Sequence, residues 1–178
     1  MWFYHSQPIY YKNYDVQRGI KMTKECCWCN FTDEEKQNIL FESAYWYVFL
    51  ADNQDYIGRC VIVLKRHSES LSDLDLSEWI ELKELINRLE KCFEKILGAD
   101  LCNWSCLMND FYKSATPNPH LHLHVRPRYS KAITINGSSY IDTEFGHHYQ
   151  PKKETLLTND NRKILLNMMK TFLNQEQK

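Results

Sequence analysis

The spacing of apolar residues predicts strands, one long helix, further strands and a final helix. The aromatic and β-branched run over residues 39–51 predicts one bent strand or two, and residues 59–66 predict a strongly apolar strand. Residues 75–97 carry apolar side chains at three- and four-residue steps with Glu and Lys between them, which is the period of an amphipathic helix. Its apolar positions are Leu76, Trp79, Ile80, Leu85, Ile86, Leu89, Phe93 and Ile96.

The second half of the chain continues with strands and ends in a helix. Residues 101–109 predict a strand, residues 110–119 a loop and residues 120–126 another strand. Residues 158–175 predict a second, shorter helix. Because the strands do not alternate with helices in βαβ units, the pattern predicts an α+β fold with an antiparallel sheet.

Composition limits the class of protein. The chain has 178 residues, 43% of them hydrophobic and 25% charged, which suits a single globular domain over residues 22–178 with an extension at residues 1–21. A formal charge of −1 is unlike a nucleic-acid-binding module, and no apolar run approaches the ~18 residues that cross a membrane. We therefore expect neither nucleic acid nor membrane as a partner.

Cysteine usage indicates the compartment. The seven cysteines are an odd number, and the aromatic but polar-interrupted start of the chain has no apolar signal-peptide region. These features favour a reducing cytoplasm, where clustered cysteines are metal ligands more often than disulfides.

The stretch NPHLHLHVRPRY, residues 118–129, carries the clearest chemistry. His120, His122 and His124 alternate with Leu121, Leu123 and Val125. In a strand, side chains two residues apart share a face at about 6.5–7 Å, so the three imidazoles face one way and the aliphatic row faces the core. Such a face can hold a catalytic metal, supply a nucleophile and acid–base groups, or be solvated. Strict alternation of three histidines makes the solvated strand the weakest of these interpretations.

A second motif is the cysteine cluster CCWC. Cys26 and Cys29 have the spacing of two thiolate ligands in a tetrahedral zinc site. Since no second cysteine pair follows, histidines are the natural candidates to complete the shell: His67 at a strand end, and one histidine of the alternating strand. Reduced core thiols are the alternative interpretation.

At these residues the sequence resembles the histidine triad (HIT) family. PHLHLHVRPRY is similar to the family's His-x-His-x-His motif, CCWCN to its N-terminal Cys-x-x-Cys, and GRCVIVLKRHSESLSDL to the strand that leads through Lys-Arg-His to the helix. ILFESAYWYVFLAD resembles its first strands and FGHHY, residues 145–149, a C-terminal element of bacterial members. The resemblance covers residues 26–150 and implies a HIT-like fold: an antiparallel sheet of about five strands, one long helix and a C-terminal helix.

The resemblance also implies an activity. HIT proteins are nucleotide hydrolases and transferases that act at the α-phosphorus of dinucleoside polyphosphates, nucleoside phosphoramidates or nucleotide sugars, and many are homodimers. By this resemblance His122 is the nucleophile that forms a nucleotidyl-histidine, and His124 binds phosphate oxygens or protonates the leaving group. We expect a hydrolase like the diadenosine-polyphosphate-cleaving members. A phosphorolytic nucleotidyltransferase, a non-catalytic nucleotide-binding adaptor and a three-histidine metal hydrolase remain as alternatives.

Zinc-bearing members of the family imply the metal ligands. The matching residues here are Cys26, Cys29, His67 and His120, which would form a closed, structural Zn²⁺ site. Cys27 is an alternative ligand.

The resemblance further implies nucleotide-binding positions. Asp52 matches an acidic residue near the ribose hydroxyls, although a turn-opening aspartate is an equal alternative. Asn109 matches an asparagine that contacts phosphate, and Asn103 or Thr116 are alternatives for that role.

Two arginines depart from the family pattern. Many members have a histidine where this chain has Arg59, and the seventh motif position, often apolar or glutamine, is Arg126. Either permanent cation would add phosphate contacts and favour a polyphosphate substrate.

Overall fold

The structure, a computed structural model, describes residues 26–148 and 157–175. The predicted extension at residues 1–21 and Tyr149 of the FGHHY stretch lie outside the described residues. The strands are β1 (Ile39–Glu42), β2 (Trp46–Leu50), β3 (Cys60–Leu64), β4 (Leu101–Ser105), β5 (His122–Arg128), β6 (Ile133–Ile135) and β7 (Ser138–Tyr140). The helices are α1 (Asp33–Lys36), α2 (Leu76–Cys92) and α3 (Asn159–Gln175).

Strands β1 to β5 form an antiparallel sheet in the order β1-β2-β3-β5-β4, and β6 and β7 form a separate hairpin. The predicted α+β fold is therefore confirmed, with the apolar run at residues 39–51 split into two strands. The histidine strand β5 lies between β3 and β4, so both of its edges are hydrogen-bonded.

The main core lies between one face of the sheet and the helices α2 and α3. The sheet contributes Trp46, Val48, Leu50, Cys60, Ile62, Leu64, Leu121, Leu123 and Val125, and the helices contribute Leu82, Leu85, Leu89, Leu165, Met169 and Leu173. On each strand these residues recur at every second position, which is the alternation that a sheet with one covered face requires.

Helix α2 begins and ends at the sequence signals that predict it. The backbone N–H of Asp75 donates to the Glu78 carboxylate at 2.8 Å, and Gly98, at φ +70°, closes a π-helical turn, Phe93–Leu97, that continues the helix. The apolar stripe is shifted at its N-terminal end. Trp79 and Ile80 are exposed there, whereas Leu82 is buried.

Some short elements do not follow from the apolar pattern. Strand β4 ends at Ser105 rather than at residue 109, and Asn109–Lys113 forms a 3-10 turn inside the predicted loop. The hairpin β6–β7 and the one-turn helix α1 are too short to produce a period. Within the residues that the structure describes, no helix has the length and apolarity to cross a membrane.

Gly58 ends the turn that leads into β3 and fixes its start. Its φ is +88°, and a Cβ there would lie 2.8 Å from Leu97 Cδ1, 3.1 Å from Pro127 Cγ and 3.3 Å from the Tyr129 hydroxyl. Both the left-handed backbone and the crowding therefore require glycine.

We expect Gly58→Ala to lower the free energy of unfolding by about 2–4 kcal/mol, from left-handed strain plus overpacking. Gly98→Ala is the matched control, because its φ is +70° but nothing lies within 4 Å of the added Cβ. It should lose only the backbone part, about 1–2 kcal/mol. Urea unfolding of the two variants measures the difference, and equal losses would contradict the role given to crowding.

Candidate functional site

The face of the sheet opposite the main core divides into an apolar half and a polar half. Phe49, Ala51, Val61 and Val63 form a second buried cluster on β2 and β3, with Tyr47 packed against it. Strand β5 presents the polar half, because His122 pairs with Val63 and His124 pairs with Val61 across the antiparallel register.

One end of the polar half is a cluster of four metal-ligand side chains. The ligand atoms of Cys26, Cys29, His67 and His120 all lie within 4.8 Å of one another. His120 Nδ1 is 3.2 Å from Cys26 Sγ and 3.5 Å from Cys29 Sγ, and His67 Nδ1 is 3.6 Å from Cys29 Sγ. Zinc bonds of ~2.3 Å to sulfur and ~2.0–2.1 Å to nitrogen at a tetrahedral angle place sulfur and nitrogen about 3.6 Å apart. The four residues therefore fit a tetrahedral metal site, and Cys27 lies outside the cluster.

Hydrogen bonding and electrostatics around the cluster also fit a metal. His120 Nε2 is 2.7 Å from the carbonyl oxygen of Leu64, which can only accept, so Nε2 carries the proton and the Nδ1 lone pair points to the thiols. Burial and the neighbouring Cys26 raise the pKa of Cys29 to about 11. A cation held between the two sulfurs would reverse this and stabilise both thiolates. None of the seven cysteines forms a disulfide.

His122 follows on the same strand face and has the opposite tautomer. Its Nδ1 lies 2.9 Å from the carbonyl oxygen of His120, so Nδ1 donates and Nε2 keeps a free lone pair. Burial lowers the pKa of His122, whose residue is 5% exposed, and the ring is therefore neutral at pH 7. A neutral imidazole with an unprotonated Nε2 is competent to attack an electrophile.

Three aromatic rings surround His122. Trp28 lies parallel to the imidazole, with ring centroids 5.1 Å apart and 13° between the planes. Phe111, from the 3-10 turn, and His124 meet it edge-on at 5.7 and 4.8 Å. The ring orientation of His122 is thus restrained by its hydrogen bond and by contacts from three directions.

His124 lies deeper along β5. Burial, with smaller contributions from His122, Arg59 and Arg126, lowers its pKa to about 2, so it is neutral at pH 7 and can donate one N–H. Its Nδ1 and the hydroxyl of Ser105, which pairs with it on β4, are both buried without a hydrogen-bond partner among the described residues. Two such polar atoms side by side suit a polar ligand group.

Beyond His124 the site ends in a buried ionic group. Asp55 Oδ1 is 3.1 Å from Arg59 Nη1, and Asp55 Oδ2 is 3.3 Å from Arg126 Nε. Both arginines lie close enough to His124 to lower its pKa. The structure therefore places both sequence-identified arginines beside the histidine row, held there by one carboxylate.

The remaining predicted site residues are spread around the rim. Asp52 follows β2, is exposed, and pairs with Arg162 of α3 at 3.2 Å and with Asn38 at 3.4 Å. Asn103 pairs with Arg126 in the sheet register and so faces the site side of β4. Asn109 and Thr116 are exposed in the segment between β4 and β5, which also carries Phe111.

Sequence reasoning did not single out Trp28, Phe111, Asp55 or Ser105. A signal for Trp28 existed, because it lies inside the Cys-x-x-Cys spacing and must follow the thiols wherever they fold. The other three carry no local pattern, since their partners are distant in the chain.

Solved structures share this fold. A hypothetical histidine triad nucleotide-binding protein from Sulfolobus tokodaii matches with a TM-score of 0.59 at 14% identity, over 84% of this chain and 93% of its own. A Zn-bound histidine triad family protein from Mycobacterium smegmatis matches with a TM-score of 0.51 at 18% identity, over 78% and 85% of the two chains. Diadenosine triphosphate hydrolase from Plasmodium falciparum matches with a TM-score of 0.52 at 15% identity, over 79% of each chain.

Family membership rests on the sequence. No curated protein matches the chain significantly. The model of the HIT domain, however, matches residues 32–131, which is more than half of the 178 residues and includes the whole histidine row. The chain therefore belongs to the HIT domain family.

Proposed function

We propose that this protein is a nucleotide hydrolase that cleaves dinucleoside polyphosphates or related nucleotide conjugates at the α-phosphorus through a nucleotidyl-His122 intermediate. HIT proteins are nucleotide-binding hydrolases or transferases. The observation that carries the proposal is the fixed tautomer of His122, whose Nδ1 donates to its own strand at 2.9 Å and leaves Nε2 as the nucleophile. Similarity to a diadenosine triphosphate hydrolase supports the substrate class.

The two halves of the site suit the two halves of a nucleotide. The buried apolar surface of Phe49, Val61 and Val63 would contact the base, and the adjoining polar row would contact the phosphates. His124 acts as a neutral hydrogen-bond donor to a phosphoryl oxygen rather than as a resting acid, because its pKa is about 2.

Other polar residues complete the proposed nucleotide contacts. Arg59, reached from the site floor, would attract phosphate, and Asn103, Asn109 and Thr116 are candidates for phosphate contacts from the β4 side. Asp52 would bind the ribose from the rim, after exchanging part of its pairing with Arg162.

We expect mass spectrometry of protein quenched during turnover of a dinucleoside polyphosphate to find a nucleotidyl group on His122. His122→Asn should lose the adduct and about 10³-fold or more of kcat, since the covalent route is removed. The exposed His148 supplies the control, and His148→Asn should keep both. Wild-type turnover by a normally folded His122→Asn would refute the assignment.

The same assay separates the alternatives. Acceleration by orthophosphate, with its appearance in nucleoside diphosphate, would make the protein a phosphorolytic transferase. Tight nucleotide binding without turnover over a broad substrate panel would make it an adaptor. Loss of chemistry on chelation, with no adduct, would favour a metal hydrolase.

The four-residue cluster is proposed to hold one structural Zn²⁺. When bound, the metal would supply cross-linking of the N-terminal turn to the sheet, and its four protein ligands leave no open position for a substrate. The matching geometry and the Zn-bound relative support this assignment.

We expect elemental analysis of protein purified without chelators to find about one zinc per chain, as a single closed four-ligand site requires. Cys29→Ser should lose it, because a hydroxyl is a poor zinc ligand. Cys27→Ser, an exposed neighbour outside the cluster, should retain it. Metal-free wild-type protein, or equal loss in both variants, would contradict the assignment.

A homodimer is also proposed. The edge of β4 is unpaired in the described sheet, and Leu76, Trp79 and Ile80 expose apolar surface on the first turns of α2.

Light scattering should give the mass of two chains, and Ile80→Glu should shift the mass toward one chain by placing a charge in the contact. Ile141, which is similarly exposed elsewhere, provides the control variant Ile141→Glu, and we expect it to remain dimeric. A wild-type mass of one chain would exclude the dimer.

A further inference from the structure

Trp28 covers the face of the proposed nucleophile and leaves its edge open. The indole and imidazole planes are 13° apart and their centroids 5.1 Å apart, so the contact is between π-faces. The lone pair of an imidazole nitrogen lies in the ring plane. A parallel neighbour therefore restrains the ring without lying on the line along which Nε2 would approach phosphorus.

Trp28 is itself held firmly. Cys29 N–H donates to Cys26 O at 3.0 Å, which closes a turn with Trp28 inside it, and the thiols at both ends belong to the metal-ligand cluster. Phe31 meets Trp28 edge-on at 6.3 Å and packs on Phe49 at 4.7 Å. The indole is thus anchored to the turn on one side and to the apolar half of the site on the other.

The charge on His122 changes during the proposed reaction, which this inference takes as its basis. The Nε2 lone pair forms a bond to the α-phosphorus, the bond from phosphorus to the bridging oxygen breaks, and its electron pair leaves with the departing phosphate. Because Nδ1 keeps its proton, donated to the His120 carbonyl, the ring becomes a cation. Water then attacks phosphorus, the P–N electron pair returns to Nε2, and a proton passes to solvent.

We propose that Trp28 stabilises the positive charge that develops on His122 during nucleotidyl transfer, through a stacked cation–π contact. A cation within about 6 Å of the indole centroid is attracted to the negative face of the ring, and tryptophan gives the strongest such contact among the aromatic residues. The resting imidazole is neutral, so the attraction grows as the transition state forms and speeds the chemical step rather than tightening substrate binding. Trp28 acts through His122 and is a positioning and charge-stabilising residue.

The test compares Trp28→Phe with Trp28→Leu. Both keep an apolar side chain over His122, but only phenylalanine keeps an aromatic face. The readouts are the single-turnover rate of nucleotidyl-His122 formation from a dinucleoside polyphosphate at saturation, the KM, the zinc content and the Tm. We expect Trp28→Leu to slow adduct formation by about 2- to 30-fold, Trp28→Phe to slow it less, and KM to change little.

Controls keep the outcomes distinct. Trp104→Phe makes the same change on the core-facing side of β4 and should leave the adduct rate at the wild-type value. Trp28→Met replaces the leucine variant if the latter loses zinc or unfolds. Equal rates in the aromatic and aliphatic variants, whether fast or slow, would overturn the inference while the adduct upholds the proposed function. A wild-type protein that forms no adduct would overturn both.

Discussion

The central position of β5 in the sheet is the constraint on which the site depends. Because β3 and β4 hydrogen-bond to its two edges, β5 has one register on each side. A slip of one residue would exchange the imidazole row with Leu121, Leu123 and Val125, placing polar rings in the core and aliphatic groups in the site. Burying the aliphatic row between the sheet and the helices therefore also sets the direction of the three imidazoles.

Within that row, backbone carbonyls give neighbouring histidines different chemistry. The Leu64 carbonyl accepts from Nε2 of His120, and the His120 carbonyl accepts from Nδ1 of His122. One ring thus turns its Nδ1 lone pair to the thiols, and the next keeps its Nε2 lone pair free. Side-chain identity alone cannot produce this difference, since the two residues are chemically the same. The positions of two acceptors, both belonging to well-paired strands, produce it.

Much of the framework could be predicted because it depends on local periodicity. The alternation in β3 and β5 and the three-to-four spacing in α2 are visible without any partner, and the cysteine spacing identified two ligands of the cluster. The contacts that complete the site are long-range. Cys26 and His120 are 94 residues apart in the chain, and nothing local indicates that the turn at Cys26 folds onto β5.

Charged and exposed residues were the harder part for the same reason. Arg59 was identified as a departure from the family pattern, but its pairing with Asp55 and the sharing of that carboxylate with Arg126 depend on how the turn before β3 meets β5. Trp79 and Ile80 continue the helical period of α2 and yet are exposed, because the covering elements do not reach the first turns. A period predicts which side chains share a face, and only the tertiary structure decides whether that face is covered.

The metal-ligand cluster and the proposed nucleophile are consequently not separate parts of the molecule. His120 supplies a ring nitrogen to the cluster and its carbonyl to His122, while the turn that supplies Cys26 and Cys29 carries the indole that stacks on the same imidazole. Two independent connections, one through the backbone of β5 and one through Trp28, join them. A displacement of a few tenths of an ångström in the cluster would therefore reach His122 from two sides, and chemistry that needs an aligned lone pair is sensitive to displacements of that size. A site that holds a metal only for structure can in this way set the geometry of the reaction.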